Sequence, residues 1–498
     1  MKTICMYFEI HMPNHLKRYR FFDIGTDHYY YDDYENERAT VEVAERSFIP
    51  SLQTMLEMAK TYGKDFKVAL SISGVALELI EQYSTNVLDL LQQLNETGCV
   101  EFLAEPYSHG LASLGSTESF VDEVKRQAKR MKQLFGKSPK VMRNSSLIYN
   151  DEIGATVAEM GFKGIMVEGA KHILGWKSPH YVYSCAHDNR LALLLRDYKL
   201  SDDISLRFSN TSWSEYPLMA DKYVGWIADM PAGEDVINIY MDLSALGLYQ
   251  PLESHVLDFI KALPAEAMKR GISFATPSEV IAANKPVGPL EMLHPVSWND
   301  EERDTSSLLG NCMQRETFNK LYDEKIVGRI LACRDRRIKQ DWDRLQASDN
   351  FRFMTTKDGN AYRGIYESPY DAFTNYMNIL GDFLKRVKDL FPDNVENDEL
   401  NSLYTQITNL DKDLEAKTKE VARLKARLEK YEPKEETAPA TASAAPVEEA
   451  APEPAPVKKA PAKRAAKAAA PKAEAPKKAV TKKTAAKKTA TPKKEASK

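Results

Sequence analysis

The sequence predicts an α/β protein that begins with a barrel of parallel strands and continues as an α-helical domain, a coiled-coil helix and a disordered basic tail. Three observations lead to this prediction. Short apolar runs alternate with amphipathic ones over residues 1–285, strand-like runs then stop, and a heptad pattern precedes a segment without aromatic residues. Alternation of strands and helices is typical of parallel sheets covered by helices, and at this length it favours a barrel.

Seven apolar runs are predicted as strands, with amphipathic helices between them, for example over residues 84–96 and 119–134. The runs are ICMYFEI, FKVALSIS, VEFLAE, KVMRNSS, GIMVEG, LALLLRD and VINIYMDL. Polar residues that directly follow such strands collect at the carboxyl-terminal mouth of a barrel, where active sites are found.

Residues 286–391 are predicted to form an α-helical domain beside the barrel. Helical patterns dominate there, as in RETFNKLYDEKIVGRIL and YDAFTNYMNILGDFLKRV, and Pro392 ends them. The chain of 498 residues is long enough for several domains of this kind.

A heptad seam over residues 396–431 predicts a coiled coil. Its positions alternate in steps of three and four residues, and only Lys417 is polar: Leu400, Leu403, Ile407, Leu410, Leu414, Lys417, Val421, Leu424, Leu428 and Tyr431. A coiled coil would make the protein a homo-oligomer, and a single polar seam residue helps to fix the register. An amphipathic helix that folds back on its own domain is the alternative.

Residues 433–498 are rich in Ala, Pro and Lys and are predicted to be disordered, because they cannot bury enough apolar surface. Residues 457–498 hold fourteen Lys, one Arg and two Glu, a charge of +13, so the rest of the chain carries −4 minus +13, or −17. Such a tail is expected to attract nucleic acid or another polyanion. A purely solubilising tail fits the composition equally well.

The cysteines and the N-terminus indicate a cytoplasmic protein. The five cysteines are scattered and lack CxxC spacing, which argues against disulfides and zinc knuckles. The first residues are typical of a buried strand, not of a signal peptide, and no apolar stretch is long enough to span a membrane.

Five ordered stretches resemble glycoside hydrolase family 57, in particular its α-amylase-like branch. They are IHMP at 10–13, SISGVALE at 71–78, VEFLAEPYSHGL at 100–111, RNSSLIYND at 143–151 and INIYMDLSALGLYQ at 237–250. The resemblance covers roughly residues 1–390. It implies an incomplete (β/α)7-type barrel, a helical domain and an α-1,4-glucan or maltooligosaccharide as the ligand.

The resemblance places the catalytic pair at residues 146 and 242. The family motif reads close to RNTELIYN, with its Glu as the nucleophile, and Ser146 stands at that position. Asp242 matches the acid/base of MDYETFGEHQ, although Ser244, Leu246, Leu248 and Tyr249 replace the Glu, Phe, Glu and His that follow. A retaining glycosidase needs two carboxyl groups about 5 Å apart. Ser146 cannot provide one of them, so impaired or absent hydrolysis is expected.

Other polar and aromatic residues are expected to bind substrate, because sugars are held by flat aromatic faces and by charged or amide groups. The predicted binding residues are His11, Asp27, Glu105, His109, Arg143, Asn144, Trp176 and Trp298. Four carboxylates near strand ends could in principle replace the missing nucleophile: Glu105, Glu168, Asp151 and Glu9. If one of them stood about 6.5–9.5 Å from Asp242, an inverting mechanism would be possible.

No metal and no cofactor are expected. A metal-dependent alternative would use Asp and His ligands around one ion, drawn from His11, Asp23, Asp27, His28 and His109. These residues lack the close HxxxH spacing that would support such a site.

Three functions follow from the sequence. The first is a glucan-binding protein of glycogen or α-glucan metabolism whose hydrolysis is impaired or absent. The second is an active α-glucan hydrolase or glucanotransferase with an atypical site. The third is a polyanion-binding scaffold that acts through its basic tail.

Overall fold

Seven parallel strands form the centre of the molecule, and they are the seven runs predicted from the sequence. A computed structural model describes residues 1–357 and 364–390 and the single positions 410, 414 and 417. In these residues the strands are β1 (Thr3–Ile10), β2 (Val68–Ile72), β3 (Val100–Leu103), β4 (Val141–Arg143), β5 (Gly164–Glu168), β6 (Val182–Cys185), β7 (Ala192–Arg196), β8 (Val236–Asp242), β9 (Leu246–Gly247), β10 (Gln250–Pro251), β11 (Ser273–Phe274) and β12 (Pro289–Leu290).

The barrel runs in the order β1-β2-β3-β4-β5-β7-β8 and returns to β1 through parallel pairing. Two seams are thin. A single bridge between Ala104 and Met142 joins β3 to β4, and one pair, Arg196 and Asn238, joins β7 to β8. The prediction of an incomplete parallel barrel is therefore confirmed. Strand β6, which pairs antiparallel with β7, lies outside the barrel and was not predicted.

Helices connect and cover the strands. They are α1 (Asp33–Val43), α2 (Ile49–Tyr62), α3 (Gly74–Tyr83), α4 (Thr85–Glu96), α5 (Ala112–Gly115), α6 (Thr117–Phe135), α7 (Asp151–Glu159), α8 (Lys171–Leu174), α9 (Tyr198–Ser205), α10 (Ala220–Ala228), α11 (Val256–Lys269), α12 (Pro277–Ala283), α13 (Ser306–Leu309), α14 (Cys312–Leu321), α15 (Glu324–Ala332), α16 (Arg336–Leu345), α17 (Ser348–Phe353) and α18 (Pro369–Leu390). The two helices predicted over 84–96 and 119–134 correspond to α4 and α6.

Alternation along each barrel strand decides which side chains point inward. In β1, Tyr7 packs inside the barrel with Tyr240 of β8, whereas Phe8 packs outward against the helices. Successive side chains of a strand point to opposite faces, so Glu9 and Asp242 lie on the inward face as well. Charged side chains at the last inward positions therefore meet at the mouth.

The segment before α13 is not helical. Its strand β12 pairs with β6, and Val296 bridges to both Tyr149 and Asp304. Helices α13–α18 follow and pack into one hydrophobic core with β5, β7 and the loop before α1. The contacts group Met1–Asn401 as one unit and Ser402–Lys498 as another. The predicted boundaries at 285 and 391 thus remain predictions.

The predicted coiled coil and tail lie almost entirely outside the described residues. Leu410, Leu414 and Lys417 are helical, and both leucines are largely exposed. Among the described residues no helix is long and apolar enough to cross a membrane.

Candidate functional site

The barrel mouth gathers charged side chains from six different strand ends. Glu9, Arg143, Glu168, Arg196 and Asp242 lie at or near the carboxyl ends of β1, β4, β5, β7 and β8, and Glu105 follows β3. The first four and Glu105 are almost completely buried. Charged side chains stay buried in this way only when they are paired, so their partners decide what the mouth can do.

Arg143 is the centre of one group, the Arg143 cluster, which comprises Glu9, Glu105, His109, Arg143 and Tyr240. The guanidinium lies 2.6 Å from Glu9 Oε2 and 2.9 Å from Glu105 Oε2. It also donates to the Tyr240 hydroxyl at 3.2 Å, and that hydroxyl donates to Glu9 Oε2. His109 Nδ1 lies 2.9 Å from Glu9 Oε1.

The two carboxyl groups of the Arg143 cluster have different acidities. Burial opposes the charge on Glu9, but Arg143 and His109 outweigh it and hold the pKa of Glu9 well below its ordinary value. Burial raises the pKa of Glu105 to about 7 despite the attraction of Arg143, and the charge of Glu9 adds to the rise. Burial and the nearby His11 lower the pKa of His109 to about 4, so this imidazole is neutral at neutral pH.

His11 links the barrel to the helical part of the chain. Its ring stacks on His109 with centroids 3.9 Å apart, and its nitrogens lie 2.7 Å from Ser73 Oγ and 2.8 Å from Asp349 Oδ2 of α17. Burial opposes a charge on both partners, yet their mutual attraction prevails: the pKa of His11 is raised and that of Asp349 falls to about 2. Both ring nitrogens have hydrogen-bond partners and one face of the ring stacks on His109. Only the opposite face of His11 could contact a ligand.

Asp242 lies at the end of β8, beside Glu9 of β1, and is partly exposed. Its Oδ1 accepts a hydrogen bond from the backbone N–H of Ser244 at 2.9 Å, and its backbone is in register with Glu9. Burial and the charge of Glu9 raise the pKa of Asp242 to about 6 despite that hydrogen bond. A carboxyl group with such a pKa can donate a proton near neutral pH, as a general acid must.

The turn after β4 holds Ser146 rigidly. Ser146 adopts a left-handed backbone with φ 51° and is 5% exposed. Its carbonyl oxygen accepts hydrogen bonds from the Trp298 N–H at 3.2 Å and from the Ser297 hydroxyl at 3.0 Å. The side chain of Asn144 closes the turn through the Ser145 N–H, the Ser113 hydroxyl and the Ile148 carbonyl. The side-chain amide of Asn144 is therefore occupied by hydrogen bonds within the protein.

Arg196 is the centre of a second group, the Arg196 cluster, which comprises Glu168, Arg196, Asp202 and Arg303. Arg196 donates to Glu168 Oε2 at 3.2 Å and to Asp202 Oδ1 at 2.5 Å, and Arg303 donates to Asp202 Oδ2 at 2.6 Å. Arg196 also lies over the ring of Trp298, which meets Tyr240 edge to face. Two carboxylates thus face two guanidinium groups.

The four carboxylates that the sequence suggested as alternative nucleophiles all have partners in the structure. Glu9 and Glu105 bind Arg143, Glu168 binds Arg196, and Asp151 accepts from the Met292 N–H at 2.7 Å. A covalent bond from Glu9, Glu105 or Glu168 to an anomeric carbon would neutralise the carboxylate and leave its arginine partly without a buried counter-ion.

The predicted site residues separate into two sets. His11, Glu105, His109 and Arg143 come together, Asn144 and Ser146 form the adjoining turn, and Trp298 covers that turn. Trp176 is 92% exposed in the loop after α8, and Asp27 pairs with Lys17 Nζ at 2.6 Å. No described contact joins either of these two residues to the clusters. His28 of the metal-dependent alternative pairs with Asp382 and also lies apart.

Several residues of the mouth were not among the predicted binding residues, among them Glu9, Arg196, Tyr240 and Asp349. Glu9 and Tyr240 are at inward positions of their strands, and the alternation of β1 and β8 could have indicated them. Asp349 is 338 residues from His11 along the chain, and no local pattern connects the two.

Comparisons with known proteins agree with this architecture. Residues 5–292 match the family model of glycosyl hydrolase family 57. The chain is 37% identical over 406 residues to the protein named "Putative alpha-amylase" of Methanocaldococcus jannaschii, and the match covers 77% of this chain and 84% of that protein.

Solved structures with the same fold include two archaeal enzymes. A GH57-type branching enzyme from Pyrococcus horikoshii matches with a TM-score of 0.57 at 14% identity, over 82% of this chain and 94% of that one. A 4-alpha-glucanotransferase from Thermococcus litoralis matches with a TM-score of 0.55 at 14% identity, over 77% of this chain and 60% of that one. At this identity the likeness concerns the fold alone.

Proposed function

Because the chain belongs to glycosyl hydrolase family 57, a family of carbohydrate metabolism, we propose that it binds α-1,4-glucan or maltooligosaccharides at the barrel mouth and hydrolyses them poorly or not at all. Two points support the proposal: the motif resemblance aligns Ser146 with the nucleophile of the family, and the buried carboxylates Glu9, Glu105 and Glu168 are paired with arginines. Asp242 remains as a proton donor, but a proton donor alone does not provide a retaining mechanism.

The remaining mouth residues suit a sugar. The face of His11, the partly exposed ring of Trp298 and the carboxyl group of Asp242 would offer one stacking surface and polar partners for hydroxyl groups. Arg143, Glu105 and His109 would act beneath them by fixing the shape and charge of the floor. Asp27 and Trp176 could bind sugar only away from this floor.

The test is a paired measurement of binding and turnover on full-length protein. Calorimetric titration with maltooligosaccharides of increasing length is expected to show binding, and product analysis is expected to show little or no cleavage. Rapid retaining hydrolysis by the purified protein would refute the proposal.

An active enzyme with an atypical site is the second candidate, favoured by the raised pKa of Asp242 near 6. One variant distinguishes this candidate from the first. Asp242→Asn keeps the size of the side chain and removes the acid, so it would abolish any turnover that the wild type has. A pure binder would have no turnover to lose and would keep its affinity to within a few-fold.

The C-terminal segments add proposals that rest on sequence alone. Residues 396–431 would make the protein a homo-oligomer and its glucan binding multivalent. Residues 457–498 would attract polyanions, and this binding would weaken as the salt concentration rises. Truncation after residue 433 would abolish it. We also infer a cytoplasmic location, in keeping with five unpaired cysteines.

A further inference from the structure

We propose that Glu9, Glu105 and His109 form a binding site for one divalent transition-metal ion, such as Zn²⁺, at the floor of the barrel mouth. Each of the three residues offers one ligand atom, and these atoms lie within 4.8 Å of one another. All three side chains are buried. The proposal concerns the floor of the site and does not depend on whether the mouth binds glucan.

The atoms that face the proposed ion have no hydrogen-bond partner. Arg143 takes the Oε2 atoms of both glutamates, and this leaves Oε1 of Glu9 and Oε1 of Glu105 without a hydrogen bond. Nδ1 of His109 is unsatisfied as well. Buried polar atoms are rarely left in this state, and three of them in one place indicate a missing partner. Arg143 thus orients the carboxylates as an outer group orients metal ligands.

The spacing of the ligand atoms fits a small ion. Glu9 Oε1 and His109 Nδ1 are 2.9 Å apart without hydrogen-bond geometry. Two ligands at about 2.1 Å from Zn²⁺ in a tetrahedral arrangement lie about 3.4 Å apart, so the two atoms would separate by about 0.5 Å when the ion binds. The hydroxyl group of Ser71, which is in register with Glu9 and also lacks a hydrogen-bond partner, is a further buried oxygen on the neighbouring strand β2.

The formal charges leave room for a cation. Glu9 and Glu105 face a single guanidinium, and Asp242 adds a third carboxyl group beside Glu9. His11 and Asp349 form a pair that compensates itself. When all three carboxyl groups are ionised, the floor carries two more negative than positive formal charges, which a divalent ion would balance. An imidazole nitrogen together with carboxylate oxygens favours Zn²⁺, Co²⁺ or Mn²⁺ over Ca²⁺ or Mg²⁺.

Metal binding can be measured without any enzyme assay. The full-length protein would be stripped with a chelator and titrated with Zn²⁺ in a calorimeter and with Co²⁺, whose visible absorption reports its ligands. We expect one ion per chain. Glu105→Gln and His109→Gln should each weaken the association at least tenfold, since each removes one of three ligands.

Two controls make the outcome decisive. His255→Gln disrupts an exposed His–Asp pair at the surface, so it should leave the affinity unchanged. Glu105→Asp keeps the charge but moves the ligand atom back by one methylene group. It replaces Glu105→Gln in the titration if circular dichroism shows that Glu105→Gln does not fold. The proposal is overturned if the wild type binds no ion, if both ligand variants bind as tightly as the wild type, or if only His255→Gln loses binding.

Discussion

The Arg143 and Arg196 clusters lie on either side of Tyr240, and both arginines stand over its ring. The Arg196 cluster sets two carboxylates against two guanidinium groups, and its ion pairs interlock. The Arg143 cluster sets two carboxylates against one guanidinium and a neutral imidazole, and four of its polar atoms lack hydrogen bonds. A buried network whose positive and negative charges balance stabilises a fold. A network with excess charge and unpaired polar atoms can still bind a ligand.

The largest effect on stability is expected from Arg196→Met. The variant leaves Glu168 and Asp202 buried with Arg303 alone, and breaking a buried ion pair costs about 3–5 kcal/mol. Denaturant unfolding measures this loss directly. Arg190→Met is the control, because Arg190 pairs with Asp188 at the solvent-exposed surface and should change the free energy of unfolding far less. Equal losses in the two variants would contradict the balanced network.

A smaller loss is expected from Glu105→Gln in the Arg143 cluster. Arg143 keeps Glu9 as its partner, so the change removes an excess charge and costs about 1 kcal/mol, the net value of one hydrogen bond. Glu168→Gln is the matched change in the Arg196 cluster, where both arginines face the lost charge. Unfolding of the two variants side by side should show the larger loss for Glu168→Gln, and the reverse order would break the comparison.

Sugar affinity should depend on Trp298 and not on Trp176. Trp298 lies over Arg196 beside the mouth, whereas Trp176 is exposed elsewhere. Replacing Trp298 by Phe shortens the stacking surface and should weaken maltooligosaccharide binding about two- to tenfold, the value of one aromatic contact. Trp176→Phe serves as the matched control in the same titration. A loss of affinity in that variant alone would move the binding surface away from the mouth.

The smallest effect is a pH dependence at the seam between β7 and β8. Burial disfavours a charge on His180, but Asp197 and Glu234, at 2.8 and 2.6 Å, raise its pKa above the ordinary 6.5. The ion pairs of protonated His180 with these two carboxylates therefore stabilise the fold fully below about pH 6.5. This stabilisation is lost as the pH rises through the raised pKa of His180. Unfolding at pH 6 and pH 9 should differ less for His180→Gln than for the wild type.

An identical pH response in His180→Gln and the wild type would contradict this role for the seam. The other seam with a single backbone pair, between β3 and β4, is linked instead by the side chains of the Glu105–Arg143 ion pair.

Local patterns predicted most of the fold. The seven strands were recognisable because parallel strands covered by helices are continuous apolar runs, and β1 and β8 needed no long-range information. The short strand β6 and the non-helical segment around Val296 were missed, because their pairing with β7 and Tyr149 depends on contacts far along the chain.

The site was harder to predict than the fold for the same reason. Arg143, Glu105 and His109 follow strands and could be placed at the mouth, but their partners could not. Asp349 reaches His11 from a helix that no motif of the barrel indicates. Trp176 follows α8 and Asp27 lies in the loop between β1 and α1, and only the folded chain shows that they are separate from the clusters.

The most direct test of the account restores a carboxylate at residue 146. Ser146→Glu and the uncharged, equally large Ser146→Gln would be compared with the wild type for cleavage of maltooligosaccharides, with calorimetric binding and circular dichroism as checks on folding. Only Ser146→Glu is expected to gain turnover, and adding Asp242→Asn should remove it. If folded Ser146→Glu binds the sugar but cleaves none, or if the wild type already cleaves through Asp242, residue 146 is not what disables the site.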